Sequence, residues 1–555
     1  MERFFYTIFA VMCILSNASA EGTFVVSDIA YKTIGDSSVV VSTKDDNYSA
    51  LALRDSTLNI PSTVSYNGKK YQVKAVSEGA FAYCCGIRNV DIGEGVEEIS
   101  DAAFAGCANL RKITIPASMR KLGKYIFAYC LNLSAITVDR NNGEFDSRED
   151  CNAIITKRGN RLVYGCNGTK IPKSVEIIND YAFHGCTIES VAIPEGVAWI
   201  RPYAFFDCHF LRSVRLSSTV SCVDEWSFCN CPNIFSITVD PNNEAYDSRN
   251  DCNAVIDKGT GKLVLGCSST IVPYGVTSIG RGAFAYADKL RSIAIPEGVT
   301  TIDGEAFAMC SALKNVSLPS TLVRFEGHTN FWMCTSLERI IIPSGVRELP
   351  NDIFTGCTSL QSITVASGNV TYDSRNNCNA IIRTDNNELV AGCTGTTIVD
   401  GIENIGENAF RQSGLTSLHI PVSVVKIDSS AFVMCRQCQS ITVAQANKFY
   451  KSSGDNTVVE RATGKLVLAC SSSFLGKEVR SIGAHAFLNT PSVLVLPSGI
   501  LEIGDCAFVS CEQLSTIYIP STVRHIGRLA FAGCSHLKRV LIMGNKVKIE
   551  EDAFK

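Results

Sequence analysis

The residues with most chemistry to offer are the cysteines, 25 in a chain of 555. A cysteine can form a disulfide, hold a soft metal or act as a nucleophile, and spacing decides which. Twelve of them, Cys84, Cys107, Cys130, Cys186, Cys208, Cys231, Cys310, Cys334, Cys357, Cys435, Cys511 and Cys534, each stand three residues after a phenylalanine. One register repeated along the chain reads as architecture, with each thiol meeting backbone groups that a strand ladder leaves unpaired. Metal binding needs clustered Cys or Cys and His. The nearest approaches, Cys229-x-Cys231 and Cys435-x-x-Cys438, have no second cysteine pair or histidine at zinc-finger spacing, so neither a metal nor a cofactor is expected.

Three further pairs are 15 residues apart: Cys151 with Cys166, Cys252 with Cys267, and Cys378 with Cys393. Each follows a similar run, Phe145-Asp-Ser-Arg, Tyr246-Asp-Ser-Arg or Tyr372-Asp-Ser-Arg. These segments read as hairpins. A four-residue loop from Lys157 to Asn160, with Thr156 facing Arg161, sets Cys151 opposite Cys166, and the spacing is the same in the other two copies. Directly opposed residues have Cα atoms about 4.5 to 5.5 Å apart, which a disulfide can span. That geometry permits three bonds without requiring them, the alternative being buried thiols packed as small apolar groups. A fourth copy, Tyr450 to Cys470, is one residue shorter and has Asn456 where a mate for Cys470 should stand.

Catalytic constellations are missing. The seven histidines, His184, His209, His328, His419, His485, His525 and His536, are scattered, and no His-Glu-x-x-His, Gly-x-Ser-x-Gly or Walker loop occurs. An enzyme is therefore not expected. Asp139 and Asp240, each followed by Asn-rich runs, read as Asx turns rather than calcium ligands, because their spacing does not match a calcium loop. With 51 basic and 54 acidic residues, net −3, and no run of five like charges, the chain lacks the electrostatic footprint of a nucleic-acid or anionic-membrane binder.

The elements that must position these residues are repeats. Phenylalanines recur at Phe81, Phe104, Phe127, Phe183, Phe205, Phe228, Phe284, Phe307, Phe331, Phe354, Phe410, Phe432, Phe487, Phe508, Phe531 and Phe554, with gaps of 21 to 24 residues and four of 55 or 56. In the unit from Phe104 to Phe127, Ile113 and Ile115 alternate with Lys112 and Thr114 in a short strand that Pro116 ends. Met119, Leu122 and Phe127 return the chain with its apolar side inward. One such turn cannot bury its face alone, whereas stacked turns can, so a β-rich solenoid of parallel strands is predicted with the phenylalanines as its core. The long units near 127–183, 228–284, 354–410 and 432–487 are expected to hold two turns each, since Val138 and Ile171 both read as strand ends, and to carry the four inserted β-hairpins.

Ahead of the repeats, Met1-Glu2-Arg3 and the apolar run Phe4 to Leu15 lead to Ser16-Asn17-Ala18-Ser19-Ala20, the pattern of a secretory signal peptide over 1–20. The run is too short to span a bilayer, and none of that length follows. Residues 21–80 are expected to form an N-terminal β cap, with Asn67-Gly68 turning a hairpin between Val64-Ser65-Tyr66 and Tyr71-Gln72-Val73.

The repeat resembles the BspA-like leucine-rich-repeat family of bacterial surface proteins, whose unit runs Leu-x-x-Ile-x-Ile-Pro-x-x-Val-x-x-Ile-Gly-x-x-Ala-Phe-x-x-Cys. It recurs from Leu514 to Cys534, and from Leu290 to Cys310 with Asp303 for the glycine, and the likeness extends over 81–555. The resemblance implies a leucine-rich-repeat right-handed superhelix, secretion or cell-surface display, and adhesion to host matrix proteins or other cells.

Binding capacity then falls to the exposed strand face. The residue between the two strand aliphatics is small or polar in the N-terminal half and becomes larger or apolar from Ile341, through His419, Val495, Tyr518 and Leu541. Tyr518 is the expected anchor, because aromatics are enriched at interface hot spots, and Ile341, His419 and Leu541 are the accompanying candidates. The leading reading is a non-enzymatic binder of an extracellular protein. Its alternatives are glycan capture, disfavoured because Trp199, Trp226 and Trp332 all miss the strand register, and an enzyme with an unrecognised site.

Overall fold

The computed structural model describes residues 22–43 and 56–555, so the expected leader over 1–20 lies outside them. The chain is a β-solenoid of about 21 turns, with no α-helix among the described residues. It divides into two compact units, residues 1–188 and 189–555.

In the first unit, Thr23–Val26, Ile29–Thr33 and Ser38–Ser42 form an antiparallel meander. Ser38–Ser42 then pairs in parallel with Lys69–Val76, which folds back antiparallel on Thr63–Tyr66. The turn between them is Asn67-Gly68, both at positive φ (47° and 75°), the conformation that an Asn-Gly hairpin turn requires. From Lys69–Val76 the sheet continues in parallel through Glu98–Ile99 and Lys121–Leu122. A second parallel sheet is built from Ser56–Ile60, Ile87–Ile92, Lys112–Ile115 and Ala135–Val138. Strand alternation buries Ile113, Ile115, Ile136 and Val138 while turning Lys112 and Thr137 to solvent. The short turns also contribute phenylalanine rings to the interior. Phe81, Phe104 and Phe127 stack with centroids 5.4 and 6.3 Å apart.

The second unit repeats this plan. Phe284, Phe307, Phe331 and Phe354 stack at 5.2, 5.3 and 5.8 Å, and Phe487, Phe508, Phe531 and Phe554 at 4.6, 5.0 and 4.9 Å. Its exposed-face strands do not form one ladder. They fall into separate sheets, among them Ser292–Ala294 to Ser362–Val365, Ser417–Ile420 with Ser440–Val443, and Val493–Val495 to Arg539–Ile542.

The long units cause these breaks. In each, three antiparallel strands, such as Tyr246–Asp247, Val255–Asp257 and Lys262–Leu265, are inserted, and the third joins the next turn in parallel. Ile171, read from the sequence as a strand end, lies in no strand; the Lys170 N–H instead bonds the Cys151 carbonyl at 3.0 Å, so the exposed-face ladder has no member there. The inserted turn meets the following phenylalanine through glycine backbone. Gly165, Gly266 and Gly392 lie so close to the rings of Phe183, Phe284 and Phe410 that a Cβ would come within 2.2, 2.3 and 2.2 Å.

Candidate binding face

Parallel pairing sets equivalent residues of successive turns side by side on the exposed face. Val495, Tyr518 and Leu541 are in direct register across three neighbouring strands, and 66%, 38% and 39% of their surfaces are exposed. Val493, two residues before Val495 and therefore on the same face, is also exposed, as is Met543 beyond Leu541. Five apolar side chains thus crowd one face of a three-stranded sheet. Val493 and Met543 were legible from strand alternation, but only the central column of each turn suggested itself from the repeat.

The other expected members stand apart. Ile341, 58% exposed, lies in a four-stranded sheet beside Thr364. His419 lies in a two-stranded sheet, where its Nδ1 is 2.9 Å from Thr442 Oγ1. Neither joins Tyr518 and Leu541 in a single surface.

The cysteines of the repeat register are structural. In the repeat register, Cys107, Cys130, Cys231, Cys310, Cys334, Cys357, Cys435 and Cys534 each donate S–H to the carbonyl of the phenylalanine one turn earlier, at 2.9 to 3.2 Å. Burial pushes the Cys130 and Cys435 thiols up to about 12, far from nucleophilic. The hairpin cysteines Cys151, Cys166, Cys252, Cys267, Cys378 and Cys393 are free and buried. A β-bulge explains why the expected opposition fails. Ile155 faces Leu162, but Ile154 faces Tyr164, and the same one-residue shift occurs at Val255/Ile256 and Ile381/Ile382. Beyond the bulge the cysteines are out of register. Cys166 Sγ donates to the Asn152 carbonyl at 3.2 Å instead. The fourth hairpin has the same bulge between Val458 and Val459, which aligns Asn456 with Asn152 rather than with Cys151. Both asparagines are left-handed, at φ 53°.

The Asp-Ser-Arg segments are occupied internally. Arg148 holds Asp146 through Nε and Nη2, both at 2.8 Å, and its Nη1 donates to Asn160 Oδ1 at 2.9 Å; Ser147 caps the Ala153 carbonyl at 2.7 Å. Asp247 with Arg249 and Asp373 with Arg375 repeat the bidentate pair. Asp139 and Asp240 accept the N–H of Asn141 and Asn242, closing Asx turns. More telling is an asparagine the sequence reading passed over. Asn142 Nδ2 donates to the carbonyls of Pro116 and Met119, and its Oδ1 accepts from the N–H groups of Glu144 and Phe145, all at 2.8 to 3.0 Å. Asn243, Asn369 and Asn447 do the same in their units. The signal was an Asn three residues before each Phe or Tyr that opens a hairpin.

Among the described residues no group of three His, Cys, Asp or Glu is arranged to hold a metal, and no helix is long and apolar enough to cross a membrane.

Residues 58–151, 156–252, 265–381, 390–457 and 469–555 match the BspA type leucine-rich repeat region. The chain belongs to this family. Solved structures similar to it include a leucine rich cell surface protein from Faecalibacterium prausnitzii, 19% identical over 96% of this chain and 97% of that one, with a TM-score of 0.33. The pneumococcal vaccine antigen PcpA is 15% identical over 78% of this chain and 95% of that one, TM-score 0.35. A leucine-rich repeat protein from Bacteroides ovatus is 21% identical over 95% and 99%, TM-score 0.24. No curated protein matches. In BspA-type terms, the hydrogen-bonding cysteines and Asn142 with its counterparts belong to the scaffold, and the outward residues of the strands are what the scaffold presents.

Proposed function

We propose that this BspA-type chain is a secreted or cell-surface binding protein, without enzymatic activity, that engages an extracellular protein partner through the face formed by Val493–Val495, Thr516–Ile519 and Arg539–Ile542. The observation that carries the reading is the register alignment of Val495, Tyr518 and Leu541, flanked by Val493 and Met543. Exposed apolar side chains scattered singly need no explanation, but a contiguous set on rigid strands is the form of an interaction site. Tyr518 supplies the anchor: a large ring with a polar tip and little rotamer entropy to lose. Export is supported by the leader pattern over 1–20. Residues 21–80 act in this reading as a cap that keeps the first strands of the repeat from pairing with another chain.

The test is a binding screen of residues 21–555 against purified matrix proteins by biolayer interferometry, repeated with Tyr518→Ala. Loss of at least tenfold in affinity for any ligand found supports the anchor. Unchanged affinity removes it.

A further inference from the structure

The chain holds three Asn-Gly steps: Asn67-Gly68, Asn142-Gly143 and Asn167-Gly168. This dipeptide carries a reaction of its own. The backbone nitrogen of the second residue can attack the asparagine Cγ, and glycine, having no side chain, leaves that approach open. The three steps are held in very different ways.

Asn142 is fully buried, and its amide bonds the Pro116 and Met119 carbonyls and the Glu144 and Phe145 N–H groups. Turning its Cγ towards Gly143 would break these bonds inside the core. Asn167 is tied at both ends: its Nδ2 donates to the Leu131 carbonyl at 2.7 Å, and its Oδ1 accepts the Thr187 N–H at 2.8 Å. Gly168 is wedged as well, since a Cβ there would come within 2.1 Å of the Ser134 carbonyl oxygen. Asn67 differs on every count. It and Gly68 are exposed at the tip of the cap hairpin, and among the described residues neither the Asn67 amide nor the Gly68 N–H has a hydrogen-bond partner. Lys69 and Lys70 follow, both exposed, and their charges favour loss of the Gly68 amide proton. A hairpin tip also opens locally at a small fraction of the cost of opening the core.

We infer that Asn67 is a site of spontaneous covalent modification, converting in water to aspartate and isoaspartate while Asn142 and Asn167 persist. The Gly68 nitrogen loses its proton to hydroxide and bonds to Asn67 Cγ. The bond from Cγ to Nδ2 breaks, and that nitrogen takes up a proton and leaves as ammonia. Water then opens the five-membered succinimide at either carbonyl. Opening at the γ-carbonyl leaves aspartate, and opening at the α-carbonyl leaves isoaspartate, whose backbone is one methylene longer. Aspartate suits the turn, because Asp-Gly takes the same pair of positive φ angles, here 47° and 75°. Isoaspartate does not, because the added methylene disturbs the turn that sets Tyr66 opposite Lys69. Lys69–Val76 joins the cap meander to the repeat sheet, pairing with Ser38–Ser42 on one side and Glu98–Ile99 on the other, and Tyr66 stacks on Phe24 with centroids 4.2 Å apart. An aged molecule therefore carries a loosened cap.

The test holds residues 21–555 at pH 8 and 37 °C for four weeks, either folded or in guanidinium chloride. Peptides are then read by mass spectrometry with electron-transfer fragmentation, which separates isoaspartate from aspartate. In the folded protein Asn67 should be lost at least tenfold faster than Asn142 or Asn167, and in denaturant all three should react at like rates. Persistence of Asn67 in the folded protein, or loss of Asn142 or Asn167 at its pace, overturns the proposal. So does a denatured chain in which Asn142 and Asn167 stay unreacted, since their protection would then not come from the fold. Asn67→Gln, which cannot close a five-membered ring, should remove the modification from this peptide, and its survival there would point to another residue. Hydrogen exchange over 63–76 should be faster in the aged protein than in the fresh one; unchanged exchange removes the loosened cap.

Discussion

The Sγ of Cys310 donates to the carbonyl oxygen of Phe284, 26 residues earlier and one turn below, at 3.1 Å. Both residues are buried, so these two turns are tied together inside the core. Cys310→Ala removes one of the two donors to the Phe284 carbonyl, which keeps the Ala287 N–H at 3.0 Å, and opens a small void. We expect a loss of about 1–2 kcal/mol, read from urea denaturation, with Cys310→Ser retaining part of it.

The same thiols set an alkaline limit. Burial raises Cys130, Cys435 and Cys511 from the ordinary 9.0 to about 12 in the folded state. Their contribution is intact below pH about 9. It falls as pH rises from there towards 12, because the unfolded chain then releases protons that the folded chain keeps. Stability measured by denaturation at pH 8, 9.5 and 11 should decrease in that order, and replacing the three thiols with serine should flatten the decrease.

Phe307 is fully buried between the rings of Phe284 and Phe331, 5.2 and 5.3 Å away. Phe307→Ala should cost about 3–5 kcal/mol in chemical denaturation, since neighbouring turns cannot close a gap in a stack whose spacing the strands dictate.

Gly266→Ala would drive a methyl to 2.3 Å from Phe284 Cε1. The expected loss is about 1–3 kcal/mol. Gly159→Ala, at a hairpin tip with no ring nearby, separates this clash from any general intolerance of the hairpins; it faces a φ of 81° instead and should show its own, strain-based cost without altering the near-ultraviolet signal of the aromatic core.

Asn447→Ala removes two donated and two accepted hydrogen bonds at once, leaving the carbonyls of Pro421 and Val424 and the N–H groups of Phe449 and Tyr450 unanswered. We expect about 3 kcal/mol or more. Asn447→Asp keeps the shape and the acceptor but loses the donor, and should recover about half of that in the same denaturation series.

Much of the scaffold was readable because it is periodic. The Phe81 to Phe127 spacing exposes the stack, and Ile113-x-Ile115 shows which way each strand faces. The hairpins were readable as insertions but not in their register, because a bulge at Ile154/Ile155 depends on how the hairpin sits against the next turn and leaves no local mark. For the same reason Cys151 and Cys166 were set opposite each other when they are not. Tyr518 and Leu541 could be placed side by side from the repeat alone. That Ile341 and His419 belong to other sheets could not, since the interruptions arise from where the inserted strands join the next turn.

The interruption of the short turns by long units has a consequence for how the chain finds its fold. Turns alike in length and sequence can pair one place too early or too late with little loss, and a stack of them alone would offer many near-degenerate frame shifts. Gly165, Gly266 and Gly392 make such slips detectable: a shifted frame would put a bulkier side chain where these three turns set only a glycine against the next ring. The hairpins thus act as keys cut at intervals along the chain, telling otherwise interchangeable neighbours apart before they lock.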